Sequence, residues 1–160
     1  MSRSVLRTIL LTTAVVAGLL AAPAANASTT RCTDWQPKEF ATPGYNTNVE
    51  IRLCVEGYTS AHSGYAETRW WDGGDYYKKF DNFDVRIRVE RYDADYDSTA
   101  CSYESSINLF DSNYRICDDG LWVGSGPSGG WSVDGYVAYN LDGDGEGGKT
   151  WSLHGTPLVD

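Results

Sequence analysis

Histidine is scarce in this chain of 160 residues: His62 and His154 are the only two, and Met1 is the single methionine. Acid–base or nucleophilic chemistry near neutral pH draws on histidine, an activated thiol or a tuned carboxylate pair. His62 lies in a turn flanked by serine and glycine, and His154 near the end of the last strand; both read as solvent-facing. No G-x-S-x-G element supports a serine hydrolase, and no C-x-x-C pair supports a zinc site. Basic residues are few as well, 13 Lys and Arg against 22 Asp and Glu. That excess of acid repels phosphate backbones and anionic lipid, so neither nucleic acid nor membrane is an expected partner. It also makes chance carboxylate pairs unavoidable, so no pair stands out as a glycosidase dyad. No catalytic residue is assigned, and an enzyme is not expected. Helical periodicity is missing too: no window sustains a 3.6-residue repeat over two turns.

What is present begins with a leader. Arg3 and Arg7 precede an uncharged apolar run, Thr8 to Ala22, followed by Pro23 and the triplet Ala25-Asn26-Ala27. A basic start, an apolar centre and an A-x-A triplet make a secretory signal peptide, expected to be cut after Ala27. The run, about 15 residues, falls short of the roughly 20 that a spanning helix needs. Export predicts a secreted, extracellular protein. Loss of residues 1–27 removes two basic side chains and no acid, so 11 basic residues face 22 acidic ones, a net charge of −11. Arginine outnumbers lysine nine to four, a bias associated with high-GC genomes such as those of actinobacteria.

All four cysteines, Cys32, Cys54, Cys101 and Cys117, follow the leader, and an even count in an exported small domain predicts two disulfides. Cys32–Cys54 with Cys101–Cys117 is preferred because each bridge closes a local loop. The rival, Cys54–Cys117, would imitate an immunoglobulin core with Trp70 or Trp71 packed on the bridge.

Residues 28–46 show no periodicity and read as an extended arm. Alternation then begins. Val49, Ile51, Leu53 and Val55 alternate with Glu50, Arg52 and Glu56 in a strand over 48–58, which puts Cys54 on the polar side, its partner coming over the outside of the sheet. Further strands are expected over 65–71, 83–92, 101–109, 114–117, 121–123, 131–141 and 149–154, with 93–100 an acidic loop. Short strands, turn signals and 17 glycines predict an all-β, disulfide-stabilised antiparallel β-sandwich over 47–160. An immunoglobulin-like arrangement, a jelly roll or a small barrel would give the same strings.

Two further features bear on binding. Asp142, Asp144 and Glu146 alternate with glycines like the start of an EF-hand calcium loop, but Leu153 stands where that loop needs a bidentate Glu. A plain hairpin loop is the expectation, with no metal or other cofactor. Six Trp, 11 Tyr and four Phe form the other excess. Trp70 and Trp71 are adjacent on a strand, so one must point away from the core. Trp35, Phe40 and Tyr45 are spaced along the arm, suited to docking on a partner.

The closing segments Val133–Asn140, Asp142–Gly147 and Thr150–Pro157 resemble the end of small secreted actinobacterial β-proteins, and through them the adaptor subunit of umbrella toxin particles, which are secreted antibacterial assemblies. The resemblance carries no catalytic motif and transfers no binding residue. It implies a non-catalytic adaptor joining a lectin-like subunit to a stalked repeat protein. The expected function is therefore a secreted protein-interaction module whose partners are co-secreted subunits, with Trp35, Phe40, Tyr45, Trp70 and Trp71 as binding candidates. A carbohydrate-binding domain using coplanar aromatics on one exposed face is the first alternative. A small-protein protease inhibitor, presenting the loop from Asp118 to Pro127 near a disulfide, is the second.

Overall fold

Period-two alternation of apolar and charged side chains gives each long strand one oily face, and two such faces must meet to leave water. The computed structural model describes residues 28–74, 77–124 and 126–159, and the leader expected over 1–27 lies outside them. Among these residues the chain forms two antiparallel sheets packed face to face. In the first sheet the central pair is β3 (Thr47–Tyr58) and β4 (Ala61–Trp71). Strands β1 (Thr29–Cys32) and β2 (Gln36–Phe40) follow one another along the free edge of β3. Strands β7 (Ser112–Cys117) and β8 (Trp122–Gly124) do the same along β4. The second sheet runs in the order β10 (Lys149–Ser152), β9 (Trp131–Leu141), β5 (Phe80–Arg91) and β6 (Ala94–Ser102).

Val49, Ile51, Leu53 and Val55 of β3 face Phe83, Val85, Ile87 and Val89 of β5 and Val133 and Val137 of β9, all within one buried cluster. Gly64 of β4 marks a place where the sheets press close. A Cβ there would lie 2.4 Å from Val133 Cγ2 and 3.0 Å from Val89 Cγ2. One ion pair is sealed where the chain crosses between sheets after β4. Lys79 Nζ lies 2.9 Å from Asp72 Oδ2, with both side chains at most 1 % exposed.

The two open sides of the sandwich are closed by different means. On one, the Cys101–Cys117 disulfide joins edge strand β6 to edge strand β7. On the other, the Gln36 side-chain amide donates to the His154 carbonyl (3.1 Å) and accepts from the His154 N–H (2.6 Å). Phe40 seals that side from within, its ring 4.9 Å from Tyr139 and 6.0 Å from Trp151.

Several expectations are corrected. The arm over 28–46 is part of the sandwich, since β1 and β2 extend its first sheet. Cys32 pairs with Cys54, directly opposite it on β1, so the partner comes from the neighbouring strand and not over the sheet. The immunoglobulin-like bridge Cys54–Cys117 is thereby excluded. The acidic stretch 93–100 is mostly strand β6; only Tyr92 and Asp93, both at positive φ, make the turn. The strand expected over 101–109 is instead the last two residues of β6 and a short helix, α1 (Glu104–Leu109). Six residues are too few for periodicity to register. The helix is held by tertiary contacts: Ile107 enters the core, and Asn108 Oδ1 accepts from the N–H groups of Lys79 and Phe80.

Candidate functional site

Phe40 and Trp70 leave the list of binding candidates. Phe40 is packed edge-on against Phe80 and Phe83 in the core. Trp70 is buried, with its indole N–H donating to the Phe110 carbonyl at 3.0 Å. Trp71 points the other way and is exposed, as period two requires for the neighbour of a core residue. Tyr45 is exposed in the loop before β3, its ring lying over Gly73. Trp35 falls in the break between β1 and β2. Its ring is half-buried, 4.1 Å from the Arg69 guanidinium and 4.8 Å from that of Arg52.

Those two arginines belong to the outer face of the first sheet. The outward positions of β4 are Ser63, Tyr65, Glu67, Arg69 and Trp71, alternating with His62, Gly64, Ala66, Thr68 and Trp70 inside. Directly opposite them stand Glu56 and Trp122 at Ser63, Arg52 and Ile116 at Glu67, and Glu50 and Tyr114 at Arg69. Tyr58, Trp71, Tyr114, Ile116 and Trp122 are between 37 and 53 % exposed on this one face. From Ser63 to Trp71 the strip runs roughly 27 Å, at about 3.4 Å per residue. Charges are matched across its middle. Arg52 Nε donates to Glu67 at 2.7 Å, and Arg69 Nε to Glu50 at 2.5 Å.

Hydrogen bonds and burial together set the protonation of the face. The hydrogen bond to Glu67 pushes the Arg52 guanidinium further up, against the cost of burial. The Tyr114 phenol is raised by burial and by its hydrogen bond to Glu67, and the Tyr58 phenol by its hydrogen bond to Glu56. Both phenols therefore stay neutral donors across the physiological range. Tyr58 and Trp122 meet at the far end, ring centroids 5.2 Å apart and tilted by 39°.

No family model, curated protein or solved structure matches the chain.

Sequence patterning missed Tyr58, Tyr114, Ile116 and Trp122. A signal for Ile116 and Tyr114 existed, since both share one parity of β7. Once Cys117 is bonded inward, period two turns Ile116 and Tyr114 outward. Trp122 had no such marker, because three-residue β8 is too short to show alternation.

The remaining candidates lie elsewhere. In the loop after β9, Asp142 faces Lys78 at 3.3 Å, Asp144 accepts from the Glu146 N–H and lies 3.4 Å from Lys149, and Glu146 pairs with Lys149 as well. The carboxylates named for calcium are thus directed at lysines. His62 is buried, not solvent-facing. Its ring stacks on Trp131 at 4.5 Å, with neither ring nitrogen hydrogen-bonded within the described residues. Burial and the nearby charge of Arg91 lower its pKa, so the ring is neutral. Among the described residues no helix is long and apolar enough to cross a membrane, and the two disulfides suit an oxidising, extracellular setting.

Proposed function

We propose that this protein is a secreted, non-catalytic interaction module, an adaptor subunit of an extracellular complex of the umbrella-toxin kind, that binds a co-secreted protein through the outer face of its first sheet. The supporting observation is the strip of Tyr58, Trp71, Tyr114, Ile116 and Trp122, exposed side by side around paired Arg52–Glu67 and Arg69–Glu50. Protein interfaces concentrate binding energy in aromatic and arginine side chains, with satisfied charge around them. A sugar platform asks for coplanar, open rings; here Tyr58 and Trp122 are tilted, and Trp35 already stacks on two guanidiniums. The secretory leader expected over residues 1–27 supports this reading, since an exported protein meets its partners outside the cell.

The test is affinity capture of the tagged protein from the culture supernatant of its natural source, wild type beside Ile116→Asp and Trp122→Ala. A stoichiometric protein partner retained by wild type and lost by both variants, with circular dichroism unchanged, is the expected result. A partner retained by both variants refutes the assignment of this face, and absence of any stoichiometric partner refutes the adaptor reading. Intact mass of the same preparation is expected to begin at Ser28 with no free thiol.

A further inference from the structure

The second sheet has its own concavity, on the side away from the core. It opens over all four strands with a volume of about 840 Å³, within the roughly 300–1,000 Å³ of small-ligand clefts. Arg86 and Arg88 rise from β5, Asp134 and Tyr136 from β9, and the hydroxyls of Thr150 and Ser152 line the β10 side. The guanidiniums are already matched. Arg88 meets Glu90, Asp95 (3.4 Å) and Asp134 (3.4 Å), and Arg86 meets Asp84 at 3.5 Å.

That arrangement selects ligand chemistry. A free anion would face four carboxylates around the two arginines, and a cation would face the guanidiniums themselves. An uncharged ligand rich in hydroxyls avoids both conflicts. One hydroxyl of a vicinal pair donates to Asp134 while its neighbour accepts from a guanidinium N–H, so each ligand group finds a charge-assisted partner. Ion pairing fixes these groups before the ligand arrives, which lowers the ordering cost of binding. Both remain reachable, with the Arg86 side chain 48 % and the Asp134 side chain 38 % exposed. Tyr136, part-exposed in the cleft, offers a ring on which the C–H face of a pyranose can stack.

We infer that the cleft on the outer face of the second sheet binds a neutral oligosaccharide, with Arg86, Asp134 and Tyr136 as its principal contacts. The site is separate from the proposed protein-binding face, which lies on the opposite sheet.

Isothermal titration of the secreted protein with neutral hexasaccharides of glucose, xylose, mannose and N-acetylglucosamine, and with oligogalacturonate as an anionic probe, tests the inference. Saturable binding of at least one neutral hexasaccharide is expected. Arg86→Ala and Tyr136→Ala should each weaken it at least tenfold, and Tyr136→Phe, which keeps the ring, should weaken it less. Trp122→Ala on the other sheet should leave it unchanged. Circular dichroism and an unaltered melting midpoint separate loss of contact from loss of fold. Saturation by none of the neutral sugars, preference for oligogalacturonate, or an equal loss in Trp122→Ala would each overturn the inference. Retained binding in correctly folded Arg86→Ala and Tyr136→Ala would do so as well.

Discussion

Replacing Lys79 by methionine leaves the Asp72 carboxylate inside the protein without its counter-ion. In the native chain the two groups are 2.9 Å apart, and neither side chain is more than 1 % exposed. Asp72 also accepts the Gly74 N–H at 2.9 Å, so the carboxylate fixes the crossover from the first sheet to the second. Removing one member of a buried pair costs about 3–5 kcal/mol, because the remaining charge stays desolvated. Lys79→Met and Asp72→Asn should each show a loss of this size. With about 130 folded residues and an unfolding entropy of about 2.1 cal/mol/K per residue, a loss of ~4 kcal/mol lowers the midpoint by roughly 14 °C. The double variant Asp72→Asn/Lys79→Met removes both charges and should be more stable than either single one. Urea unfolding of all four proteins at 25 °C closes the cycle. Losses that simply add in the double variant, or singles costing under about 1 kcal/mol, would refute the claim that the pair is sealed and mutually dependent.

Gly64→Ala should cost about 1–3 kcal/mol by overpacking against Val133 and Val89, read from the urea midpoint; a neutral result would show that the sheets can part there freely. His62 is neutral when folded and has its pKa lowered, so its contribution to stability is intact above the ordinary histidine pKa. That contribution fades as pH falls below it, because only the unfolded chain takes up the proton. His62→Phe should flatten the difference between unfolding at pH 7 and at pH 5, and an unchanged slope would assign the pH dependence to other groups. The loop carrying Asp142, Asp144 and Glu146 should give the same melting midpoint in calcium and in chelator, since a ligand of the folded state raises it.

Alternation made β3 and β5 legible, because Val49 to Val55 and Phe83 to Val89 each bury one face and wet the other. Strand β9 was legible over its whole length for the same reason. The acidic stretch before Cys101 was not, since β6 is an edge strand, mostly exposed, and no apolar face records its period. The arm hid its strands similarly: β1 and β2 are short, and only Phe40 among them is fully buried. Local loop closure selected the right disulfides, though Cys54 meets its partner in the plane of the sheet. The link between Gln36 and His154 spans 118 positions and uses a backbone amide, which leaves no pattern in either segment. For the proposed binding face, parity required one of Trp70 and Trp71 to point outward without selecting Trp71, and how β7 and β8 bring Ile116 and Trp122 beside it depends on register that only pairing decides.

The contrast between the two closed sides makes the sandwich behave like a book with a spine and a clasp. The Cys101–Cys117 bond is the spine and does not open in an oxidising medium. The clasp is the amide of Gln36 against the His154 backbone, two hydrogen bonds with aromatic rings behind them. Breathing of the native state therefore has a direction: the leaves part along β2 and the C-terminal tail while β6 and β7 stay together. In hydrogen exchange the amide of His154 should trade its proton well before the core amides of β3 and β5. Reductant, by freeing the spine, would let the leaves part from either side.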